Sequence, residues 1–174
     1  TTSNVLKGQA ATGTAAWASG GNLNTSRNTL GGAGTQTAAL AFGGQGPITG
    51  KTESYNGSSW TEVNDLNTAR NGPDSSSDFA NTENYNGTNW TEVNDMNEAK
   101  HNIGGSGTST AAVAFGGTPG AKNSTELWNG TNWTEVNNLN TAGFSRVGSI
   151  LSSTAAVAMG GWSPALPGAL NNTE

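Results

Sequence analysis

Residues 52–63 read TESYNGSSWTEV, and nearly the same twelve residues return as TENYNGTNWTEV at 82–93 and as TELWNGTNWTEV at 125–136. An Asn-Gly pair between two short runs rich in Thr, Tyr, Trp and Val is typical of a β-hairpin. The pairs are Asn56-Gly57, Asn86-Gly87 and Asn129-Gly130. We expect type I′ turns, in which both central residues have positive φ. The sequence therefore predicts three hairpins of one kind.

The repeat extends well beyond the hairpins. The tryptophans Trp17, Trp60, Trp90 and Trp133 are separated by 43, 30 and 43 residues. Each is followed by a related segment: Leu23–Arg27, Leu66–Arg70, Met96–Lys100 and Leu139–Gly143. A Glu precedes each hairpin turn at Glu53, Glu83 and Glu126, and a fourth Thr-Glu pair is Thr173-Glu174. Repetition favours a structural role for these carboxylates, such as turn capping or hydrogen bonding across strands.

An alanine-rich run that ends in two glycines is the second repeated element. It occurs at 38–44, 111–117 and 155–161, and its glycine pairs are Gly43-Gly44, Gly116-Gly117 and Gly160-Gly161. A first strand after Arg27, a turn near 34–36, a second strand over 39–42 and the hairpin complete one period of about 43 residues. Four short antiparallel strands per period predict an all-β repeat architecture.

Side-chain size alternates along the second strand. In Ala39-Leu40-Ala41-Phe42 the larger residues share one face and the alanines share the other. A unit with one bulky and one small face can stack on its own copy. We expect Trp60 to pack between neighbouring units, and we expect Trp17, Trp90 and Trp133 to do the same.

The order Gly43-Gly44, Tyr55, Trp60 and Arg70 resembles the repeat of the kelch family; in the third unit Gly143 stands at the Arg position. The resemblance implies one β-propeller domain over 1–174 with about four four-stranded blades. The blade units are about 27–70, 71–100 (truncated), 101–143 and 144–174, the last completed by 1–26. A generic β repeat, such as a β-helix or a fibre, is the alternative.

Two irregularities interrupt the pattern. The interval from Trp60 to Trp90 is 13 residues short, and the missing part corresponds to the first two strands of a unit. Either evolution removed these strands or the sequence omits residues that the protein has, and we favour omission. The chain also starts with an outer half-unit and stops after an inner one. We expect residues near 4–6 or 17–19 to lie beside a strand over 155–159, closing the ring within one chain or between chains.

Composition excludes most kinds of chemistry. The chain has 174 residues, one His, no Cys and a net charge of −5, with seven scattered Lys and Arg. A basic surface for nucleic acid is missing, and the apolar runs are too short for membrane insertion. His101 is expected in a surface loop. Propeller copper oxidases need two His and a Cys-linked Tyr, and sialidases need an arginine cluster, whereas only Arg27, Arg70 and Arg146 are available.

We therefore expect a non-enzymatic protein with no metal site, no catalytic residue and no cofactor. The Asn/Thr/Gly-rich repeats resemble kelch-like proteins of marine phages and environmental bacteria, which implies an extracellular or virion-associated adhesion or decoration role. Its partners would be other protein subunits or a cell-surface receptor or glycan, and a homo-oligomer is possible. A carbohydrate-binding propeller, with Trp162 as a candidate loop aromatic, and an intracellular protein-interaction scaffold are the alternatives.

Overall fold

The computed structural model describes residues 19–71, 79–148, 153–165 and 168–174. These ranges contain fourteen β-strands and no helix, so the all-β prediction is confirmed. Trp17 and the expected N-terminal outer strand lie outside the described residues. Below, unit 1 is 27–70, unit 2 is 71–100, unit 3 is 101–143 and unit 4 is 144–174.

Units 1 and 3 are four-stranded antiparallel sheets. Unit 1 contains β1 (Gly31–Thr35), β2 (Ala38–Phe42), β3 (Thr52–Tyr55) and β4 (Trp60–Val63), in that spatial order. In unit 3 the corresponding strands are β7 (Gly104–Thr108), β8 (Ala111–Phe115), β9 (Thr125–Trp128) and β10 (Trp133–Val136). The predicted four strands per period are therefore found in both complete units.

In its described residues, unit 2 contains the hairpin of β5 (Thr82–Tyr85) and β6 (Trp90–Val93) and no other strand. Unit 4 begins with β11 (Val147–Gly148) paired to β12 (Ala158–Met159), and Met159 also pairs with Thr173. Of the strand expected over 155–159, only Ala158–Met159 form among the described residues. A further hairpin of β13 (Trp162–Ser163) and β14 (Gly168–Ala169) was not expected. Among the described residues the sheets remain separate, and closure into a ring stays a prediction.

The bulky face of each second strand points toward the following unit. In unit 3, Val113 and Phe115 are 6% and 2% exposed and pack against Ala158 of unit 4. In unit 1, Phe42 meets Trp90 of unit 2 in an edge-to-face contact with ring centroids 5.0 Å apart. Large residues of one unit thus face small or aromatic residues of the next, which accounts for the alternation in the sequence.

The Asn-Gly turns differ from the type I′ expectation. Four residues, Asn56 to Ser59, connect β3 to β4; Gly57 has φ of 95°, but Asn56 does not have positive φ. The Asn56 Oδ1 accepts hydrogen bonds from the backbone N–H of Ser58 and of Ser59, both 3.0 Å long. Asn86 and Asn129 do the same in their turns. The type I′ expectation is wrong because the asparagine side chain organises the turn, and only the glycine needs positive φ.

Substitutions at equivalent turn glycines separate backbone strain from crowding. Gly87 and Gly130 have φ of 97° and 93°, so alanine at either position costs about 1–2 kcal/mol of backbone strain. Among the described residues, a Cβ at Gly87 would meet no atom within 4 Å, whereas a Cβ at Gly130 would lie 3.2 Å from the Thr110 carbonyl oxygen. We expect Gly130→Ala to lower the free energy of unfolding in urea by about 1 kcal/mol more than Gly87→Ala. Equal losses would contradict this account.

Candidate functional site

Glu53, in the third strand of unit 1, is a carboxylate buried to 0% exposure. It accepts hydrogen bonds from the Asn24 backbone N–H (2.7 Å), the Asn24 Nδ2 (2.9 Å) and the Thr25 backbone N–H (3.3 Å). The Arg27 Nη1 lies 2.6 Å from Glu53 Oε1. Burying a charge is costly unless it is paired and hydrogen-bonded, and here both conditions are met. We call this arrangement the carboxylate lock.

The lock recurs in every unit. Each glutamate accepts a hydrogen bond from the backbone N–H of the asparagine in the repeated segment that ends the preceding unit. The pairs are Glu83 with Asn67 (2.8 Å), Glu126 with Asn97 (2.7 Å) and Glu174 with Asn140 (2.5 Å). In the first three locks the same asparagine also donates through Nδ2 to the carbonyl oxygen of a tryptophan: Trp60, Trp90 and Trp133. The end of one unit is thereby fastened to the hairpin of the next.

The cation of the lock is maintained although its sequence position varies. Arg70 pairs with Glu83, and Lys100 Nζ lies 3.2 Å from Glu126. Unit 3 has Gly143 at the arginine position, and Arg146, three residues later, instead places Nη2 3.5 Å from Glu174 Oε1. Each buried carboxylate therefore retains a positive partner.

Three of the predicted tryptophans make contacts between units. The Trp90 indole N–H donates to Thr52 Oγ1 of unit 1 (3.0 Å), and Trp133 donates to Thr82 Oγ1 of unit 2 (2.9 Å). The Trp60 N–H donates to the Gly21 carbonyl oxygen (3.1 Å). Each also packs on the aromatic ring opposite it in its own hairpin, with centroids 5.0–5.4 Å apart. These indoles are engaged within the framework.

The paired glycines follow the second strand and hold the end of a unit. Gly44 N–H donates to the Arg70 carbonyl oxygen, and Gly117 N–H donates to that of Gly143, both at 2.9 Å. A Cβ at Gly43 would lie 2.5 Å from the Arg70 carbonyl oxygen. In unit 4, Gly160 N–H donates to Asn172, and Leu170 N–H donates to Gly161. Glycine is needed at Gly43 because the chain approaches too closely for any side chain.

The lock also determines how its carboxylates titrate. Burial alone would raise the pKa of Glu53, but the hydrogen bonds from Asn24, Arg27 and Thr25 outweigh it and hold the pKa below the ordinary 4.5. The pKa of Glu174 is likewise lowered, since the bonds from Asn140 and Thr141 outweigh its burial. A carboxylate with a lowered pKa is a poor general acid or base near neutral pH.

Among the described residues of unit 2 no strand precedes β5, and an apolar cleft lies where the first two strands of a complete unit would be. The cavity has a volume of about 630 Å³. Its walls come from unit 1, from the hairpin of unit 2 and from unit 3, and they include Leu40, Phe42, Tyr85, Trp90, Ala112 and Trp128. The chemistry of this lining suits apolar side chains and a polypeptide backbone.

A second surface feature lies in unit 4. In units 1 and 3, the residue after the Gly-Gly pair forms a backbone bridge to a polar residue, as Asn28↔Gln45 and His101↔Thr118. In unit 4 the same bridge joins two aromatic residues, Phe144 and Trp162, whose ring centroids are 5.1 Å apart. Trp162 is 42% exposed. Two backbone hydrogen bonds fix the main chain of Trp162, and its exposed indole beside the Phe144 ring offers an aromatic surface for stacking.

The described ranges contain neither a cluster of metal-binding side chains nor a helix that could span a membrane. Within 19–71, 79–148, 153–165 and 168–174, no group of three or more His, Asp or Glu side chains could hold a metal ion. The same residues include no helix that is long and apolar enough to cross a membrane.

The sequence identified the lock's parts without connecting them. It showed that the glutamates and the Leu-Asn-Thr segments recur, but it did not show that the asparagines of these segments bind the glutamates. Their shared period was the available signal. The role of Arg146 had no such signal, because this residue is out of register with the other cations. The 13-residue deficit indicated missing strands but did not indicate the character of the walls around the resulting gap.

Removing the charge of one lock should destabilise the whole chain. We expect Glu53→Gln to lower the free energy of unfolding by about 3 kcal/mol, because it leaves the Arg27 guanidinium buried without its anion. Its cross-strand neighbour Glu62 pairs with Lys51 at 2.9 Å on the surface, so Glu62→Gln is the matched control and should cost at most about 1 kcal/mol. Equal losses in urea titrations would contradict the lock.

Acid should weaken the locks in a defined pH range. Because the folded-state pKa values of Glu53 and Glu174 lie below the ordinary 4.5, their contribution is complete above that pH and is lost as the pH falls through the folded-state values. We expect the thermal midpoint of the wild type to fall in this acid range. Glu53→Gln should show a smaller fall, and an identical pH profile would count against the lock.

Comparison with known proteins gives the chain no family. No protein-family model matches it, and no curated protein matches it. The kelch resemblance thus stays an expectation that rests on the repeat residues, and the function has to be argued from the geometry of the described residues.

Proposed function

We propose that the chain is a non-enzymatic binding module, built as a kelch-like β-propeller and displayed on the surface of a virion or a cell for adhesion or decoration. Pairing of the two ends would close its ring into about four blades. One observation carries the proposal: the acidic and aromatic residues that repeat are used in contacts between units. Glu53, Glu83, Glu126 and Glu174 all serve as acceptors in carboxylate locks.

The residues that depart from the repeat support a binding role. Repeated positions maintain the framework, whereas the open cleft of unit 2 and the aromatic pair of unit 4 occur once each among the described residues. Both present apolar or aromatic surface, and the Glu83 carboxylate that lines the cleft is engaged by Arg70 in its lock. Such surfaces are typical of recognition rather than of catalysis.

The surface location can be tested by imaging. Antibodies raised against the purified protein would be used for immunogold labelling of intact particles and cells from the source culture. We expect label on the outside of particles or cells. Label confined to the cytoplasm would overturn the proposal in favour of an intracellular protein-interaction scaffold.

A glycan is the second candidate ligand, and Trp162 favours it. Sugar rings stack on exposed tryptophan faces, and the bridge to Phe144 holds this indole in place. The intermediate exposure of Trp60, Trp90 and Trp133 makes them poorer stacking surfaces than Trp162.

Trp162→Ala should strongly weaken glycan binding if this surface is the site. Truncating a binding tryptophan costs about 2 kcal/mol, which is roughly a 30-fold loss of affinity. The measurement is glycan-array binding followed by titration of the best ligand. Ile48→Ala, at a 52% exposed apolar residue in another loop, is the matched control and should bind like wild type. Unchanged binding by Trp162→Ala would exclude this surface.

A further inference from the structure

The third strand of unit 2 lacks the neighbour that its counterparts have. β3 lies between β2 and β4, and β9 lies between β8 and β10. β5 is the equivalent strand, and in the described part of the chain it pairs with β6 alone. The open edge of β5 faces the cleft.

The repeat shows which backbone groups point to that edge. In unit 1 the Lys51 carbonyl oxygen accepts from Gly43 N–H, so alternate residues from Lys51 onward direct their backbone toward β2. The equivalents in unit 2 are Asn81, Glu83 and Tyr85. Arg70 Nη1 already donates to the Asn81 carbonyl oxygen at 2.9 Å. The edge next to Glu83 and Tyr85 therefore offers main-chain donors and acceptors to an added strand.

The walls of the cleft specify the side chains of such a strand. Leu40 and Phe42 are only half-buried, whereas their equivalents Val113 and Phe115 are buried beneath Ala158 of the following unit. Small residues on the incoming strand would cover Leu40 and Phe42 in the same way. The opposite wall carries Ala112, which leaves room for larger apolar residues on the other face.

We propose that this cleft is an acceptor site for a β-strand or β-hairpin of a partner protein, which pairs antiparallel with β5. The inserted segment alternates alanine or glycine with larger apolar residues, as in Ala-Val-Ala-Phe. By the register of β8 on β9, its Phe would lie opposite Thr82 and its Val opposite Asn84. The site is continuous with the existing contacts between units, Phe42–Trp90 on one side and Trp133–Thr82 on the other. This assignment rests on the proposed binding role and on the 13-residue deficit being a deletion in the protein, not an omission from the sequence, and it names the partner's chemistry.

A peptide taken from the chain itself tests the site. The probe is residues 104–117, GGSGTSTAAVAFGG, which form the first two strands of unit 3. We expect saturable 1:1 binding by calorimetry, a change in tryptophan fluorescence and a higher thermal midpoint. The control peptide carries Ala112→Leu and Ala114→Leu, which would collide with Leu40 and Phe42, and it should not bind.

Two protein variants check that the peptide occupies the cleft. Leu40→Glu places a charge on the wall and should weaken peptide binding at least about tenfold, whereas Ile48→Glu, outside the cleft, should not. A second variant inserts, between Asn71 and Phe79, a 13-residue copy of the first two strands of unit 3, β7 and β8. It should melt at a higher temperature than wild type and should no longer bind the peptide.

Several results would overturn the inference. The first is failure of the peptide to bind, and the second is equal binding of the peptide by wild type and Leu40→Glu. The third is a homodimer in which a second copy of the chain occupies the cleft, detected as a dimer that the peptide dissociates. An intact mass above 17.5 kDa whose additional residues map between Asn71 and Phe79 would mean that the chain supplies its own strands, and this too would overturn it. If the peptide does not bind but immunogold label is found on the outside of particles or cells, this inference is wrong and the proposed function stands.

Discussion

A glutamate bound by the segment that ends the preceding unit, in the third strand of units 1 to 3 and at Glu174 in unit 4, is the constraint on which the rest of the structure depends. A carboxylate held away from water is tolerable only when donors surround it, and here most of the donors belong to the segment that ends the preceding unit. The hairpin of one unit is therefore stable only beside its neighbour. Small polar units with few large apolar residues gain cooperativity in this way, because each lock couples two units along the chain.

In the described part of unit 2 the coupling between units persists without the first two strands of a complete unit. Its hairpin is held at both sides although the described residues of unit 2 include no equivalent of β1 or β2. Arg70 bonds both Glu83 and the Asn81 carbonyl oxygen, and that oxygen takes the place of the Lys51 oxygen that accepts from Gly43 in unit 1. The side chain is 20% exposed, against 1% for Arg27. The lock survives because its donors come from the neighbouring unit and not from the missing strands.

The period, the four strands of a complete unit and the hairpin positions could be predicted from the sequence, because turn residues and alternating side chains are local signals. The pairing of Asn24 with Glu53 could not, since periodicity gives the spacing of two elements but not which copies meet. The turn type was missed because Asn56 can serve through its side chain as well as through its backbone. Arg146 was missed because a cation can reach one carboxylate from several chain positions.

Repeated residues maintain the framework, and the residues that depart from the repeat are the candidates for recognising a partner. At the bridge after each Gly-Gly pair, the backbone geometry is the same in units 1, 3 and 4, so the fold does not dictate the side chains there. Polar pairs in two units and the aromatic pair Phe144–Trp162 in the third are equally compatible with the bridge. An exposed tryptophan at such a position adds nothing that the framework requires, and it exposes apolar surface to water. The same reasoning applies to Leu40 and Phe42, whose counterparts in unit 3 are covered. Apolar surface that the framework leaves uncovered is where a partner gains most by binding.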